Sequence, residues 1–218
     1  MGRENGACAV NAAELLADVR AELAPLECAL AEHRYLIELE AGRVPPASLR
    51  AFAGEQRAII ASDRRSFEHL AACFPEPPAG PFFAEMAAGE AKALGLLKSF
   101  ATLVELPGEY EPLAGCQAYP AYVAWLALNG RPGEVALAFL ANLAAWGRSC
   151  ARMRDALRPA YGDEAVAFFD FFAHSPPGFE ERALVLVASG DARRARRAAR
   201  LLQAYELLYW DTLADAFL

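Results

Sequence analysis

The chain has 218 residues, 56% of them hydrophobic and 22% charged, enough to bury a full core in one large domain or two small ones. That composition excludes a disordered chain, a collagen-like repeat and a coiled-coil array. With 21 Lys and Arg against 28 Asp and Glu the net charge is −7, which argues against nucleic acid as a partner because that affinity rests on neutralising phosphates. Five cysteines without a CxxC pair read as reduced thiols rather than a disulfide frame. The segment Met1 to Gly6 lacks the apolar core of a signal peptide, and no run of about 18 uncharged apolar residues offers a membrane span. The expectation is a soluble cytoplasmic protein with no membrane partner.

Apolar residues recur at helical spacing almost throughout, and Pro and Gly punctuate them. Residues 1–10 are expected to be a disordered tail. A first helix is predicted over 11–40, closed by Ala41-Gly42 and a Val44-Pro45-Pro46 turn, and a second from Ala47 to Cys73, stopped by Phe74-Pro75-Glu76-Pro77-Pro78. A third covers 81–104 before Pro107-Gly108, and a fourth spans 117–128 and breaks at Asn129-Gly130-Arg131-Pro132-Gly133. The fifth and sixth cover 134–157 and 163–173, and a short helix follows near 179–189. Segment 182–188 is the only β-like run and is short enough for a buried helical turn. Asp191 has the chemistry of an N-cap for a last helix reaching Phe217. Short turns, no linker and no repeat predict one all-α domain, a bundle of about seven helices.

In a bundle the informative residues are polar groups on apolar stripes, because an unpaired buried polar group costs about 1–3 kcal/mol. In the last helix Leu202, Glu206, Tyr209 and Leu213 follow i, i+4, i+7 and i+11, so Glu206 projects from the most apolar face. It is either a structural glutamate bonded to a neighbour or a functional acid with a raised pKa. In the second helix Leu49, Phe52, Ile59, Ile60, Phe67 and Leu70 form a stripe that contains Gln56 and Asp63, two turns apart and aimed at the bundle centre. Inward carboxylates of this kind hold metals in some bundles, but His33, His69 and His174 complete no Glu-x-x-His pair. The fourth helix carries Tyr119 and Tyr122 in an aromatic stripe, and the fifth carries Trp146, Cys150 and Met153 at core spacing with Asn142 at the stripe edge. Cys150 reads as a small core residue, since no base stands at helical spacing to activate it. The cluster Arg193-Arg194-Ala195-Arg196-Arg197 with Arg200 reads as a solvated face or a salt-bridged contact between subunits. Phosphate loops, GxSxG, HExxH and paired CxxC are absent.

With these residues in view, the chain resembles the TenA/thiaminase-II family of the haem-oxygenase-like superfamily. The resemblance rests on Glu32-His33-Arg34-Tyr35-Leu36, then Glu40-Ala41-Gly42-Arg43-Val44-Pro45 leading to Leu49-Arg50-Ala51-Phe52-Ala53-Gly54-Glu55-Gln56. It continues through Ala118-Tyr119 up to Gly130 and Glu134, and ends on Ala204-Tyr205-Glu206-Leu207-Leu208-Tyr209-Trp210-Asp211. It implies a pocket glutamate at Glu206 and a pocket tyrosine at Tyr119. The family's catalytic Asp falls on Gln56, with Glu55 one residue earlier, and its nucleophilic Cys falls on Asn142 or Ala144. The chain thus resembles a divergent member without the Cys and the Asp, and neither Asn nor Ala supplies a thiolate.

What the resemblance implies is a central pocket for a small organic ligand like the pyrimidine half of thiamin. Glu206 would be the catalytic or principal polar residue, and Tyr119, Gln56, Asp63, Asn142, Tyr209 and Tyr122 would line the pocket. A C–N hydrolase of the thiaminase-II type working without the thiol is one reading. A non-catalytic ligand-binding or regulatory protein is another, and a di-iron oxidase-like or haem-binding relative, with His33 as haem ligand, is a third. No cofactor and no metal are expected. The family suggests a homodimer or homotetramer, with Arg193 to Arg200 at the contact.

Overall fold

The first helix, α1 (Ala12–Ala31), opens at Asn11, whose side-chain oxygen accepts from the Glu14 amide at 3.3 Å. This is a computed structural model, and it describes residues 11–218, so the expectation for residues 1–10 lies outside the described residues. The predicted helix 11–40 is two helices. His33 turns extended (φ −65°, ψ 132°) and caps α2 (Arg34–Glu40), its Nδ1 accepting from the Tyr35 amide at 3.2 Å. The change of direction buries Tyr35, Leu36 and Leu39. A proline starts α3 (Pro46–Cys73), where its missing N–H is no loss. α4 (Ala79–Leu103) returns along α3, and α5 (Ala114–Asn129) follows.

The predicted fifth and sixth helices lie along one span, α6 (Pro132–Phe172), in which the non-helical Gly162 separates two helical segments across a kink, as the sequence predicted. Gly162 has φ 79°, a left-handed conformation that residues with a Cβ rarely adopt. The β-like run 182–188 belongs to the helix α7 (Phe179–Ala188), which buries Ala183, Leu186 and Val187. Asp191 caps α8 (Ala192–Phe217) as expected, accepting from the Arg193 and Arg194 amides at 2.9 and 3.1 Å. The described residues thus form eight helices and no strand.

Their apolar faces build two clusters. One gathers Val19, Leu23, Phe67, Phe139, Leu186 and Leu202, and the other Leu36, Phe52, Phe100, Phe169, Trp210 and Leu213. Tyr119 packs against both, so the seam between the clusters runs past the predicted pocket residues. Of the basic cluster on α8, Arg196 pairs with Asp18 and Glu22, Arg200 with Glu22 at 3.7 Å and Arg194 with Glu134 at 2.9 Å. These arginines fasten α8 to α1 and α6 within one chain rather than standing as a free basic patch. No described helix is long and apolar enough to cross a membrane.

Two glycines separate open from filled positions. A Cβ on Gly133 would meet the Leu186 carbonyl oxygen at 2.7 Å, whereas one on Gly95, on the exposed side of α4, would meet nothing within 4 Å. Gly133→Ala is expected to destabilise the fold by about 1–3 kcal/mol through forced separation of α6 and α7. Gly95→Ala should stabilise it by about 0.5–1 kcal/mol through helix propensity. Denaturant titration reads both signs.

Candidate functional site: an acidic chamber at the bundle centre

α3, α4, α5, α6 and α8 enclose a chamber of about 50 Å³ lined by Gln56, Asp63, Glu90, Tyr119, Asn142, Glu206 and Tyr209 between the apolar side chains of Ile59, Ile60, Phe139, Leu143, Trp146 and Phe172. Two turns of α3 bring Gln56 and Asp63 onto one line, as their seven-residue spacing requires. Glu206 stands on the apolar face of α8 beside buried Leu202, Tyr209 and Leu213, and is 3% exposed.

Its partner comes from another helix. Asn142 Nδ2 of α6 donates to Glu206 Oε2, while Asn142 Oδ1 accepts from Tyr119 Oη at 3.0 Å. Gln203 Nε2 approaches the same carboxylate oxygen at 3.4 Å. Glu206 Oε1 has no hydrogen-bond partner among the described residues. Tyr209 is engaged elsewhere, accepting from Gln56 Nε2 at 2.9 Å. Burial pushes the Glu206 carboxyl up to about 8, and the nearby donors, the Trp210 indole first and then Asn142, offset only part of that. Tyr119 is pushed up as well, first by burial and then by the carboxyls of Asp63, Glu206 and Glu90.

The structure therefore brings together Gln56, Asp63, Tyr119, Asn142, Glu206 and Tyr209. It does not bring in Tyr122, which stacks on Trp125 at 5.8 Å and meets Tyr205 at 5.2 Å between α5 and α8. Spacing put Tyr119 and Tyr122 on one stripe, but only Tyr119 reaches the seam. Glu55 also lies away from the chamber. It accepts from Tyr110 Oη at 2.8 Å, Leu113 N at 2.6 Å and Gln117 Nε2 at 3.2 Å, and so pins the connection into α5. Cys150 is fully buried in the second apolar cluster and its thiol is pushed well above its ordinary value by burial, as a core residue's would be.

Glu90 is the residue that spacing could have found and that was missed. Phe83, Ala87, Glu90, Leu94 and Leu97 follow i, i+4, i+7, i+11 and i+14 on α4, the same pattern that exposed Glu206. Burial pushes Glu90 up to about 8, and Asp63 is raised first by burial and then by the charge of Glu90. The chamber lining contains three carboxyls and no Lys, Arg or His.

Neither metal nor haem chemistry fits these residues. Among the described residues no group of three or more His, Cys, Asp or Glu is arranged to hold a metal ion. Both nitrogens of His33 are engaged, Nδ1 with the Tyr35 amide and Nε2 with Asp211 Oδ1 at 3.1 Å, and the ring does not line the chamber.

An acid whose folded pKa lies above its unfolded value holds its proton longer in the native state, so the unfolded chain binds fewer protons between the two values. Stability should therefore fall as pH rises from about 5 to 8, by on the order of a few kcal/mol for a shift of this size. Glu206→Gln is expected to flatten that slope by up to one proton, read by denaturant unfolding across the pH range. Asn142→Ala, which strips both Tyr119 and Glu206 of a partner, should cost about 1–3 kcal/mol in the same measurement.

Comparison with solved structures agrees with the architecture. A TenA homolog from Pseudomonas syringae pv. tomato superposes with a TM-score of 0.77 at 11% identity, over 94% of this chain and 93% of that one. A TenA homologue from Pyrococcus furiosus gives 0.73 at 19% identity, over 91% and 99%. A domain with a heme oxygenase-like fold from Shewanella denitrificans gives 0.70 at 13% identity, over 94% and 91%. These identities carry the fold alone. No curated protein matches the chain. The model of the TENA/THI-4/PQQC family matches residues 20–216, nearly the whole sequence, and the chain belongs to that family.

Proposed function

We propose that the protein binds a small organic ligand related to the pyrimidine half of thiamin and hydrolyses a C–N bond on it by carboxyl-and-water chemistry. The observation that carries this reading is Glu206: a buried carboxyl held on one oxygen by Asn142 and Gln203, with the other oxygen free, facing a chamber that contains no thiol. An aminopyrimidine edge offers N–H donors to Glu206 and the carbonyl of Asn142, while its flat ring suits Phe139 and Phe172, which the chamber shares with an adjoining wider space of about 370 Å³.

With the family's nucleophile position falling on Asn142 or Ala144, neither of which supplies a thiolate, attack falls to water. Glu206 takes a proton from the water as its oxygen adds to the amide carbonyl carbon. It returns that proton to the nitrogen as the C–N bond breaks, leaving a carboxylic acid and a free amine. Tyr119 and Asn142 fix the position of the carboxyl rather than react.

Two outcomes test this. An aminopyrimidine bearing an N-acyl substituent should be hydrolysed, and Glu206→Gln should reduce kcat/KM by about 10²–10⁴-fold. Because the base must be unprotonated, kcat/KM should rise with pH through about 8, the value to which burial pushes Glu206. Absence of turnover with N-acyl aminopyrimidines and with thiamin leaves a binding protein without catalysis.

A further inference from the structure

Asp63 and Glu90 face each other's helices across the inner chamber, and the proposed hydrolysis uses neither. Asp63 is 3% exposed, and its Oδ1 has no hydrogen-bond partner among the described residues. Glu90 lies half-buried and lines not only the inner chamber but also a second, outer one of about 370 Å³. The two chambers share Glu90, Phe139, Leu143 and Phe172. The outer one adds Phe82, Met86, Phe171 and Phe179, with the 174–177 connection at its side.

Size and polarity change together along this route. The inner space of about 50 Å³ holds a few non-hydrogen atoms rather than a ring system, and it is acidic. The outer space holds a ring system, and it is apolar and aromatic. Buried carboxyls without a positive partner are costly, and a cation supplied by a ligand removes that cost. We infer that Asp63 and Glu90 form a cation-recognition subsite, taking the protonated amine or amidine head of a ligand whose aromatic or apolar body lies in the outer chamber. This rests on the reading of the chamber as a ligand site and assigns the class of ligand. Among the described residues no three His, Cys, Asp or Glu side chains are arranged to hold a metal ion, so the pair suits an ammonium or amidinium better.

The groups facing the pair are Glu206 and Tyr209 from α8, Tyr119 from α5 and the neutral Asn142 from α6, with His174 and Glu85, the latter paired with Arg182 at 2.8 Å, beside the outer chamber. None of those in the inner chamber is a cation. Burial raises Glu90 up to about 8, and burial and then the charge of Glu90 raise Asp63, so in the free protein the pair holds protons near neutrality. An entering cation displaces them, and its affinity rises with pH.

Calorimetry with 4-phenylbutylamine and its neutral counterpart 4-phenylbutanol tests the assignment. The amine should bind saturably and roughly tenfold or more tighter than the alcohol, with proton release seen as buffer-dependent heat. Its affinity should climb from pH 6 to 9. Asp63→Asn and Glu90→Gln should each weaken the amine by about tenfold and leave the alcohol unchanged. Equal binding of amine and alcohol overturns the proposal, as does a flat pH response. Loss of amine binding in Glu206→Gln with Asp63→Asn and Glu90→Gln silent overturns it too, by moving charge recognition to Glu206. Competition by Mg²⁺ or Ca²⁺ at stoichiometric level overturns it in favour of a metal subsite. Should Asp63→Asn fail to fold, Glu90→Gln and the wild-type pH series decide alone. Turnover plays no part in these readouts, so a failed hydrolase assay leaves the subsite standing and a failed binding assay leaves Glu206 chemistry standing.

Discussion

A buried carboxyl on α8 needs a donor, and the one it finds is on another helix. Asn142 gives its amide N–H to Glu206 and takes the Tyr119 hydroxyl on its carbonyl, so one side chain closes a chain of hydrogen bonds through α5, α6 and α8. In a medium this poor in water such a chain is strengthened by its neighbours and is costly to leave half made. Around it Glu206 Oε1 is left without a partner among the described residues, Tyr119 sits between the two apolar clusters, and Tyr209 pairs with Gln56 instead.

The electrostatics of the chamber are one-sided. Three carboxyls meet there without Lys, Arg or His in the lining, while ion pairs bring arginines to the outside of the bundle at Glu27, Glu40, Glu85 and Glu180. Exposed pairs of that kind contribute little and are screened by salt. Asp63 and Glu206, each 3% exposed, lie beyond the reach of salt, so they hold protons or meet a cation. Glu55 shows what an inward carboxyl looks like when it is structural: three donors surround it and it does not line the chamber. The contrast with Asp63 and Glu90 separates a pin from a site by partners rather than by depth.

Much of this was legible in the sequence. The all-α class followed from apolar spacing, the Asp191 cap from its chemistry, and the inward direction of Gln56, Asp63 and Glu206 from positions on a helical wheel. Projection fails where it treats a stripe as uniform. Tyr119 and Tyr122 share one, yet three residues of helix put one ring in the seam and the other against Trp125 and Tyr205. It fails too where a helix bends: His33 breaks the predicted first helix.

By itself the sequence determined which faces of which helices are apolar and which polar residues interrupt them, because that depends only on 3.6 residues per turn and on the cost of burying polar atoms. Tertiary structure decided how those interruptions pair. Asn142 with Glu206, Gln56 with Tyr209, and Asp63 beside an unforeseen Glu90 are contacts between residues far apart in the chain. Their meeting depends on helix crossing and kinking, which are set by the packing of whole side-chain surfaces and not by any local spacing.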